Sequence, residues 1–228
     1  IEAANYLAPE GFKSIIDQYR KTDHLIDKEY RKFYYAFDAL EETGAFETLR
    51  TLVENIYTNE YLAKLLPKWN EGIQEENAMN EIPLQRNFYR RHVSNSKERT
   101  VVIISDAMRY EVGQELFRRM QDDPKCTAKM DVQLSVLPSY TRLGMASLLP
   151  HNTLTIYHNQ IDARGDKANT EDEVFVACEE AIQEIMSLIT KINGSANTHH
   201  FIVTADHGFI YKRDKVTESD KIGGVSGK

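Results

Sequence analysis

The chain has 228 residues, of which 41% are apolar and 28% are charged, and its formal net charge is −7. Such a composition is ordinary for a water-soluble protein with enough apolar material for at least one core. The negative charge excludes a surface that binds nucleic acid over the whole molecule, although a local basic patch stays compatible with it. No apolar run approaches the roughly 18 residues that cross a bilayer, so we predict a cytoplasmic protein without membrane association.

Two cysteines and the two chain ends complete this first picture. Cys126 and Cys178 show no metal-ligand spacing, which favours free thiols in a reducing compartment over a disulfide framework. The sequence begins at Ile1 and stops at Gly-Gly-Val-Ser-Gly-Lys without a closing element. We therefore expect a fragment of a larger protein.

Residues 1–95 carry a helical pattern throughout. Apolar residues recur every three or four positions, which is the spacing of a single buried helix face. The first such set is Leu25, Ile26, Tyr30, Phe33, Tyr34, Phe37 and Leu40, and the second is Phe46, Leu49, Leu52, Val53, Ile56 and Tyr57. Pro67 is expected to end the helical stretch that follows. The sequence therefore predicts an all-helical N-terminal region.

Residues 96–228 alternate strand patterns with helical patterns. The β-branched apolar run Thr100–Ser105 predicts a strand that is buried on both faces. Three further strands are predicted at Asp131–Leu137, Leu154–Tyr157 and Phe201–Thr204. Helices between strands imply crossover connections and a parallel sheet. The predicted fold class is α/β, a parallel sheet flanked by helices.

Metal-compatible side chains follow each predicted strand. In chain order they are Asp106, Thr141, the pair His158 and Asp162, and the pair Asp206 and His207. Ligands bind beyond the carboxyl ends of parallel strands, so these groups are expected to converge at one edge of the sheet. Oxygen and imidazole donors suit zinc or manganese. Taken singly, each has a simpler interpretation, as a helix cap, a turn or plain surface.

Long motifs in this half also resemble a known family. They are Val-Val-Ile-Ile-Ser-Asp-Ala-Met-Arg-Tyr-Glu (101–111), Leu-Pro-Ser-Tyr-Thr-Arg-Leu-Gly-Met-Ala-Ser-Leu-Leu-Pro-His (137–151), Tyr-His-Asn-Gln-Ile-Asp-Ala-Arg-Gly-Asp-Lys (157–167) and Val-Thr-Ala-Asp-His-Gly-Phe (203–209). They resemble the PglZ domain of bacterial phage-exclusion systems, in the alkaline phosphatase superfamily. The resemblance implies an alkaline-phosphatase-like core in residues 96–228, incomplete at its C-terminus, and it extends to the helical stretch before it.

The resemblance also implies roles for individual residues. Asp106, Asp206 and His207 would hold one metal, and Thr141 would be the nucleophile, bound to that metal at a helix N-terminus. His158 and Asp162 would hold a second metal, with Asp166 as a rival carboxylate. Ser139 is a weaker alternative nucleophile. A further histidine is expected downstream of Asp-His-Gly and is missing from this sequence. Two divalent ions, zinc or manganese, are thus implied for the full-length protein, and the fragment itself could be inactive.

Substrate and partners follow from the same resemblance. A phosphate ester is the implied substrate, and Arg109, Arg164 and Lys167 are candidates to contact its phosphate, although surface salt bridges are the simpler role. The implied partners are other proteins of a phage-defence complex, with indirect association with nucleic acid.

Two other functions stay open. A catalytically silent scaffold or binding module is suggested by the tyrosine-rich helical half, because tyrosines often line interfaces. A two-metal nuclease is the other, since phosphodiester cleavage uses the same site geometry. No glycine-rich phosphate loop is found, which disfavours an NTPase.

Overall fold

The computed structural model describes residues 2–74, 82–149, 155–165, 173–195 and 198–213. Its N-terminal region is helical, as predicted. Four α-helices form it: α1 (Phe12–Gln18), α2 (His24–Asp38), α3 (Glu47–Asn55) and α4 (Ala63–Ile73). Wide π-helical turns, Tyr19–Asp23 and Ile56–Leu62, lead into α2 and α4. Short 3-10 turns lie at Glu2–Asn5 and Gly44–Phe46.

The second region alternates strands and helices. After a 3-10 turn, Gln85–Asn87, and a π-helical turn, Tyr89–Val93, the regular elements are β1 (Thr100–Ser105), α5 (Tyr110–Gln121), α6 (Thr141–Leu148), β2 (Ile156–His158), α7 (Gln160–Gly165), α8 (Val174–Ser195) and β3 (His200–Thr204). The sheet order is β2-β1-β3, and both pairings are parallel. The predicted fold class, a parallel sheet flanked by helices, is confirmed.

The central strand β1 is buried on both faces, as its apolar run predicts. Ile103 belongs to the larger apolar cluster, which also contains residues of the helical region such as Tyr34 and Tyr61. Val102 and Ile104 belong to a second cluster with Leu148 of α6. Successive residues of a strand face opposite sides, so one strand supplies two cores. Both cores hold the carboxyl end of β1 in place.

Two predictions about local structure are wrong. Residues 131–137 form no strand of the sheet; only Leu134 makes an isolated parallel bridge, with Leu84. The backbone of Leu134 is taken up by the segment before β1, since its N–H donates to Pro83 and its carbonyl accepts from Gln85. Pro67 does not end a helix but lies inside α4. There it removes one backbone hydrogen bond, and the helix continues to Ile73.

The observed ends of the other two strands differ slightly from the predicted ends. β2 runs over Ile156–His158 rather than 154–157, and Leu154 lies outside the described residues. β3 begins at His200, one residue before the predicted start. Cys178 is buried and Cys126 is half-buried, and both are free thiols, as expected.

Most tyrosines of the helical region lie in the core, although Tyr35 is 41% exposed. Five of them are buried, namely Tyr6, Tyr30, Tyr34, Tyr57 and Tyr61. Four of these hydroxyls donate to buried acids: Tyr6 to Asp23, Tyr57 to Asp27, and Tyr30 and Tyr34 both to Glu54, at 2.7 and 2.8 Å. The tyrosine content therefore gives little support to an interface function.

Buried ion pairs join the helical region to the α/β region. Arg31 of α2 is fully buried, and it contacts Glu111 of α5 at 3.0 Å and Glu179 of α8 at 2.7 Å. Asp27, also on α2, pairs with Arg109, which lies just before α5. Breaking such a pair leaves an uncompensated buried charge. No helix in the described part of the chain has the length and apolarity needed to cross a membrane.

Candidate metal centre and catalytic threonine

The loop after β1 holds the first acidic residue of the site. Asp106 is fully buried, and its backbone N–H donates to the carbonyl of His158 at the end of β2, at 2.8 Å. The next residue, Ala107, has φ of 60°, a left-handed conformation that is unfavourable for residues with a Cβ. Its carbonyl accepts from the Tyr211 hydroxyl at 2.9 Å, and its N–H donates to Asp206 at 3.4 Å. These bonds hold the loop in its strained shape.

Four side-chain oxygens surround one nitrogen of His207. Its Nε2 lies 3.1 Å from Oδ1 of Asp106, 3.6 Å from Oδ2 of Asp206 and 3.9 Å from Oδ1 of Asp162. The Thr141 hydroxyl oxygen is 3.2 Å from the same nitrogen. The donor atoms of Asp106, Asp162 and His207 all lie within 4.8 Å of one another. Residues from four separate segments thus meet at one point, at the carboxyl ends of the strands.

The spacing and the hydrogen bonding of these donors fit a divalent cation. Zinc ligands sit about 2.0–2.2 Å from the ion, which puts neighbouring ligand atoms about 3 to 3.5 Å apart. Asp106 Oδ1 and Asp206 Oδ2 are buried without a hydrogen-bond partner. A buried acceptor without a partner is unfavourable unless a bound group completes it. The oxygen and imidazole donors present therefore suit a divalent cation.

The electrostatics of the site reflect the crowding of negative charge. Burial and the neighbouring Asp106 charge raise the pKa of Asp206 to about 6. Burial also opposes ionisation of Asp106, but the His207 ring at 3.1 Å and the hydrogen bond from Tyr157 outweigh it and hold the pKa of Asp106 below its ordinary value. The contact with Asp106 raises the pKa of His207. Protons thus compete for the positions that a cation would neutralise.

Thr141 is the first residue of α6, as the sequence predicts. The residue before it, Tyr140, makes no side-chain cap, so the first N–H groups of the helix have no capping side chain. A helix N-terminus of this kind attracts anions such as phosphate. Gly144 brings α6 close to the site, because a Cβ there would lie 2.4 Å from the carbonyl oxygen of Asp206.

Several predicted site residues lie elsewhere or pair with other groups. His158 contacts Glu184 of α8 at 2.9 Å. Arg109 is buried against Asp27 and the Tyr211 ring rather than exposed to substrate. Arg164 pairs with Glu180 at 2.6 Å. Ser139 is exposed in the loop before α6. The remaining candidates, Asp166 and Lys167, lie outside the described residues.

Two residues at the site went unnoticed in the sequence. The Tyr157 hydroxyl donates to Oδ2 of Asp106, which leaves Oδ1 directed at His207. Gln85 is buried, and its amide donates to the carbonyls of Ala205 and Asp206. Tyr157 ends a predicted strand, which is a signal for a site residue, and in the sheet it pairs with Ile104, two residues before Asp106. Gln85 lies in a stretch without periodicity and gives no such signal.

Comparison with known proteins assigns the chain to a family. A family model described as the BREX system PglZ alkaline phosphatase-like domain matches residues 85–156 and 152–225. The chain belongs to the PglZ family. The matched range includes β1, α6, β3 and every donor of the site.

Two curated PglZ relatives are similar along most of the chain. The alkaline phosphatase-like protein PglZ of Bacillus cereus (strain H3081.97) is 38% identical over 97% of this chain and 34% of its own length. The alkaline phosphatase-like protein BrxZ of Escherichia coli O9:H4 (strain HS) is 32% identical over 86% of this chain and 31% of its own length. The chain thus spans about a third of the relatives that it matches. No solved structure matches it.

Proposed function

We propose that this chain carries the nucleophile and one cation site of a metal-dependent phosphoric ester hydrolase that acts in a bacterial phage-defence system. The observation that carries the proposal is the meeting of Asp106, Asp162, Asp206 and His207 around a point next to Thr141. Membership of the PglZ family supplies the phage-defence setting and the phosphatase-like chemistry.

Asp106, Asp206 and His207 would hold the cation, with Asp162 at the open side of the site. The first three are buried, whereas the Asp162 side chain is about a quarter exposed. When bound, a zinc or manganese ion would neutralise the carboxylates and polarise the phosphate oxygens. Tyr157 orients Asp106 by occupying its second oxygen.

Thr141 is the proposed nucleophile. Its hydroxyl oxygen would form a bond to phosphorus as the ester P–O bond breaks, and the leaving alcohol would take up the proton that Thr141 gives up. The uncapped start of α6 would bind the phosphate and aim it at Thr141. Water would then cleave the phosphothreonine, which returns the enzyme to its first state.

A second cation, which the family resemblance implies, has weaker support among the described residues. His158 is engaged by Glu184, and the donors within 4.8 Å of one another are Asp106, Asp162 and His207. We propose that parts of the longer protein complete that second site. The chain covers about a third of its relatives, which leaves room for such residues.

The test combines metal binding with hydrolysis. Zinc and manganese binding to this chain would be measured by calorimetry and elemental analysis. Hydrolysis of an aryl phosphate monoester and diester would be followed with the metal-loaded full-length protein, which completes the second site. Thr141→Ala should bind metal normally but lose turnover by at least about 1,000-fold, because the bond-forming oxygen is gone. Thr141→Ser, which keeps a hydroxyl, is the matched control and should retain activity.

Two outcomes would contradict the proposal. Wild-type turnover in Thr141→Ala would remove this residue from the mechanism. A chain that binds neither ion at micromolar concentration would favour a binding module over an enzyme.

A further inference from the structure

The backbone carbonyl of Asp206 is a meeting point of three segments. The Gln85 amide nitrogen donates to it at 2.5 Å, and the Ser135 hydroxyl donates to it at 3.2 Å. Gly144 of α6 packs against the same carbonyl so closely that any Cβ would overlap it. Asp206 belongs to the proposed cation site, so these contacts fix the backbone that carries two of its donors.

The side chain of Gln85 is fully used. Its nitrogen also donates to Ala205 at 3.2 Å, and its oxygen accepts from the backbone N–H of Val136 at 3.2 Å. The residue is 1% exposed, so water cannot replace these partners. An amide is the side chain that can both donate to carbonyls and accept from an N–H at one place. A carboxylate or an apolar group of the same size would lose the donors.

Gln85 joins the segment at Ala205 and Asp206 to the segment at Val136. These two segments lead directly to the two parts of the site. On one side, Asp206 is followed by His207. On the other side, Val136 precedes the loop that ends at Thr141. The relative position of His207 and Thr141, 3.2 Å apart, therefore depends on this bridge. Backbone pairing between Leu134 and Gln85, at 2.9 Å, anchors the bridge itself.

We propose that Gln85 is a positioning residue that sets the distance between the proposed cation site and the nucleophile. This inference rests on the proposed function for its chemical meaning. It concerns the geometry of Asp206, His207 and Thr141 in the metal-free protein as well, so it can be tested separately. Gln85 touches neither the substrate nor the cation and acts through the Asp206 carbonyl.

The experiment uses Gln85→Met, which keeps the size of the side chain but removes its hydrogen bonds. Ile185→Val, a change in the buried core on α8, serves as the control for lost stability. NMR signals of the Thr141 methyl group and the His207 ring would be recorded without metal, and zinc affinity would be measured by calorimetry. Gln85→Met should shift or broaden both signals and weaken zinc binding by about 10-fold or more, as loss of an outer-shell partner does. Ile185→Val should change neither.

A second variant reaches the same carbonyl from the other side. Gly144→Ala places a methyl group against the Asp206 carbonyl, and it should perturb the same two signals while leaving Gln85 intact. Unchanged signals in Gln85→Met, or equal changes in Ile185→Val, would overturn the positioning role. If the wild-type chain binds no zinc, the proposed function fails, yet the NMR comparison still decides whether Gln85 sets this geometry.

Discussion

The helical region and the candidate metal centre bury the same kinds of acid in different ways. In the helical region, Asp27 receives hydrogen bonds from Tyr19 and Tyr57 and an ion pair from Arg109. Glu54 likewise receives two tyrosine hydroxyls. At the metal centre, one oxygen each of Asp106 and Asp206 is buried without a hydrogen-bond partner. Among the described residues, those two are the carboxylate oxygens left in that condition.

This difference separates a structural acid from a functional one. A structural acid is completed by the protein's own donors, which makes it part of the folded core. The acids of the metal centre are left incomplete. Burial and the Asp106 charge raise the pKa of Asp206, and the contact with Asp106 raises the pKa of His207. Identical substitutions in the two regions should therefore have opposite effects on stability.

The largest expected effect is in the helical region. Asp27→Asn removes the charge that compensates Arg109, which is itself buried, and the free energy of unfolding should fall by about 3–5 kcal/mol. Urea denaturation of the metal-free protein measures this. A loss below about 1 kcal/mol would show that Arg109 finds another partner and would break the contrast between the regions.

The same substitution at the metal centre should stabilise the metal-free protein. The folded-state pKa of Asp206 lies above its unfolded value, so the charged form is unfavourable at pH 7.5. Asp206→Asn removes that charge, and we expect a gain on the order of 1 kcal/mol. Loss of an outer-shell partner typically lowers metal affinity by about 10–100-fold. Asp206→Asn removes a direct ligand, so zinc affinity should fall by more than that. A destabilised variant with normal zinc affinity would contradict both expectations.

The smallest effect is the pH dependence of stability. Asp206 holds its proton more tightly in the folded state, so its contribution to stability declines as pH rises from about 4 to 6. His207 has a raised pKa, so its contribution is present below about 6.5 and is lost as pH rises through the folded-state value. Both effects have the same sign.

Melting temperatures at pH 5.5 and 7.5, with and without zinc, test this expectation. Lowering the pH from 7.5 to 5.5 should raise the melting temperature of the metal-free wild type more than that of metal-free Asp206→Asn. Zinc should raise the melting temperature more at pH 7.5, where protons no longer compete. A zinc-induced shift that is larger at the lower pH would refute the competition between protons and metal.

Much of the fold could be read from local patterns. The run Thr100–Ser105 matches β1 residue for residue, because a buried central strand needs an unbroken apolar sequence. Residues 131–137 alternate polar and apolar side chains, which also predicts a strand, but they form none, because the segment before β1 takes up the backbone groups of Leu134. Local pattern cannot choose between two such partners. Here the backbone of Leu134 pairs with the segment at Pro83 and Gln85, which is a tertiary contact.

The candidate site likewise contains residues that local sequence patterns predict and residues that they do not. Asp106, Thr141 and the Asp206–His207 pair follow strands or open a helix, and the structure places them together, although their catalytic roles stay predictions. His158 also follows a strand, but it faces Glu184 of a helix that the sequence does not locate in space. Gln85 contacts the carbonyls of Ala205 and Asp206 and the N–H of Val136, all of which are distant in the sequence. Such contacts exist only after folding, so no spacing rule finds them.

The pairing of Arg109 with Asp27 has a practical consequence for anyone who trims this protein. Removing the first 95 residues would take away Asp27, the counter-ion of Arg109, which lies only three positions from Asp106. Glu111 and Glu179 would lose Arg31 in the same cut. A shortened form would therefore be destabilised beside the candidate metal centre, because the ion pair from α2 supports the segment that follows Asp106. The helical region thus stabilises the loop that carries Asp106.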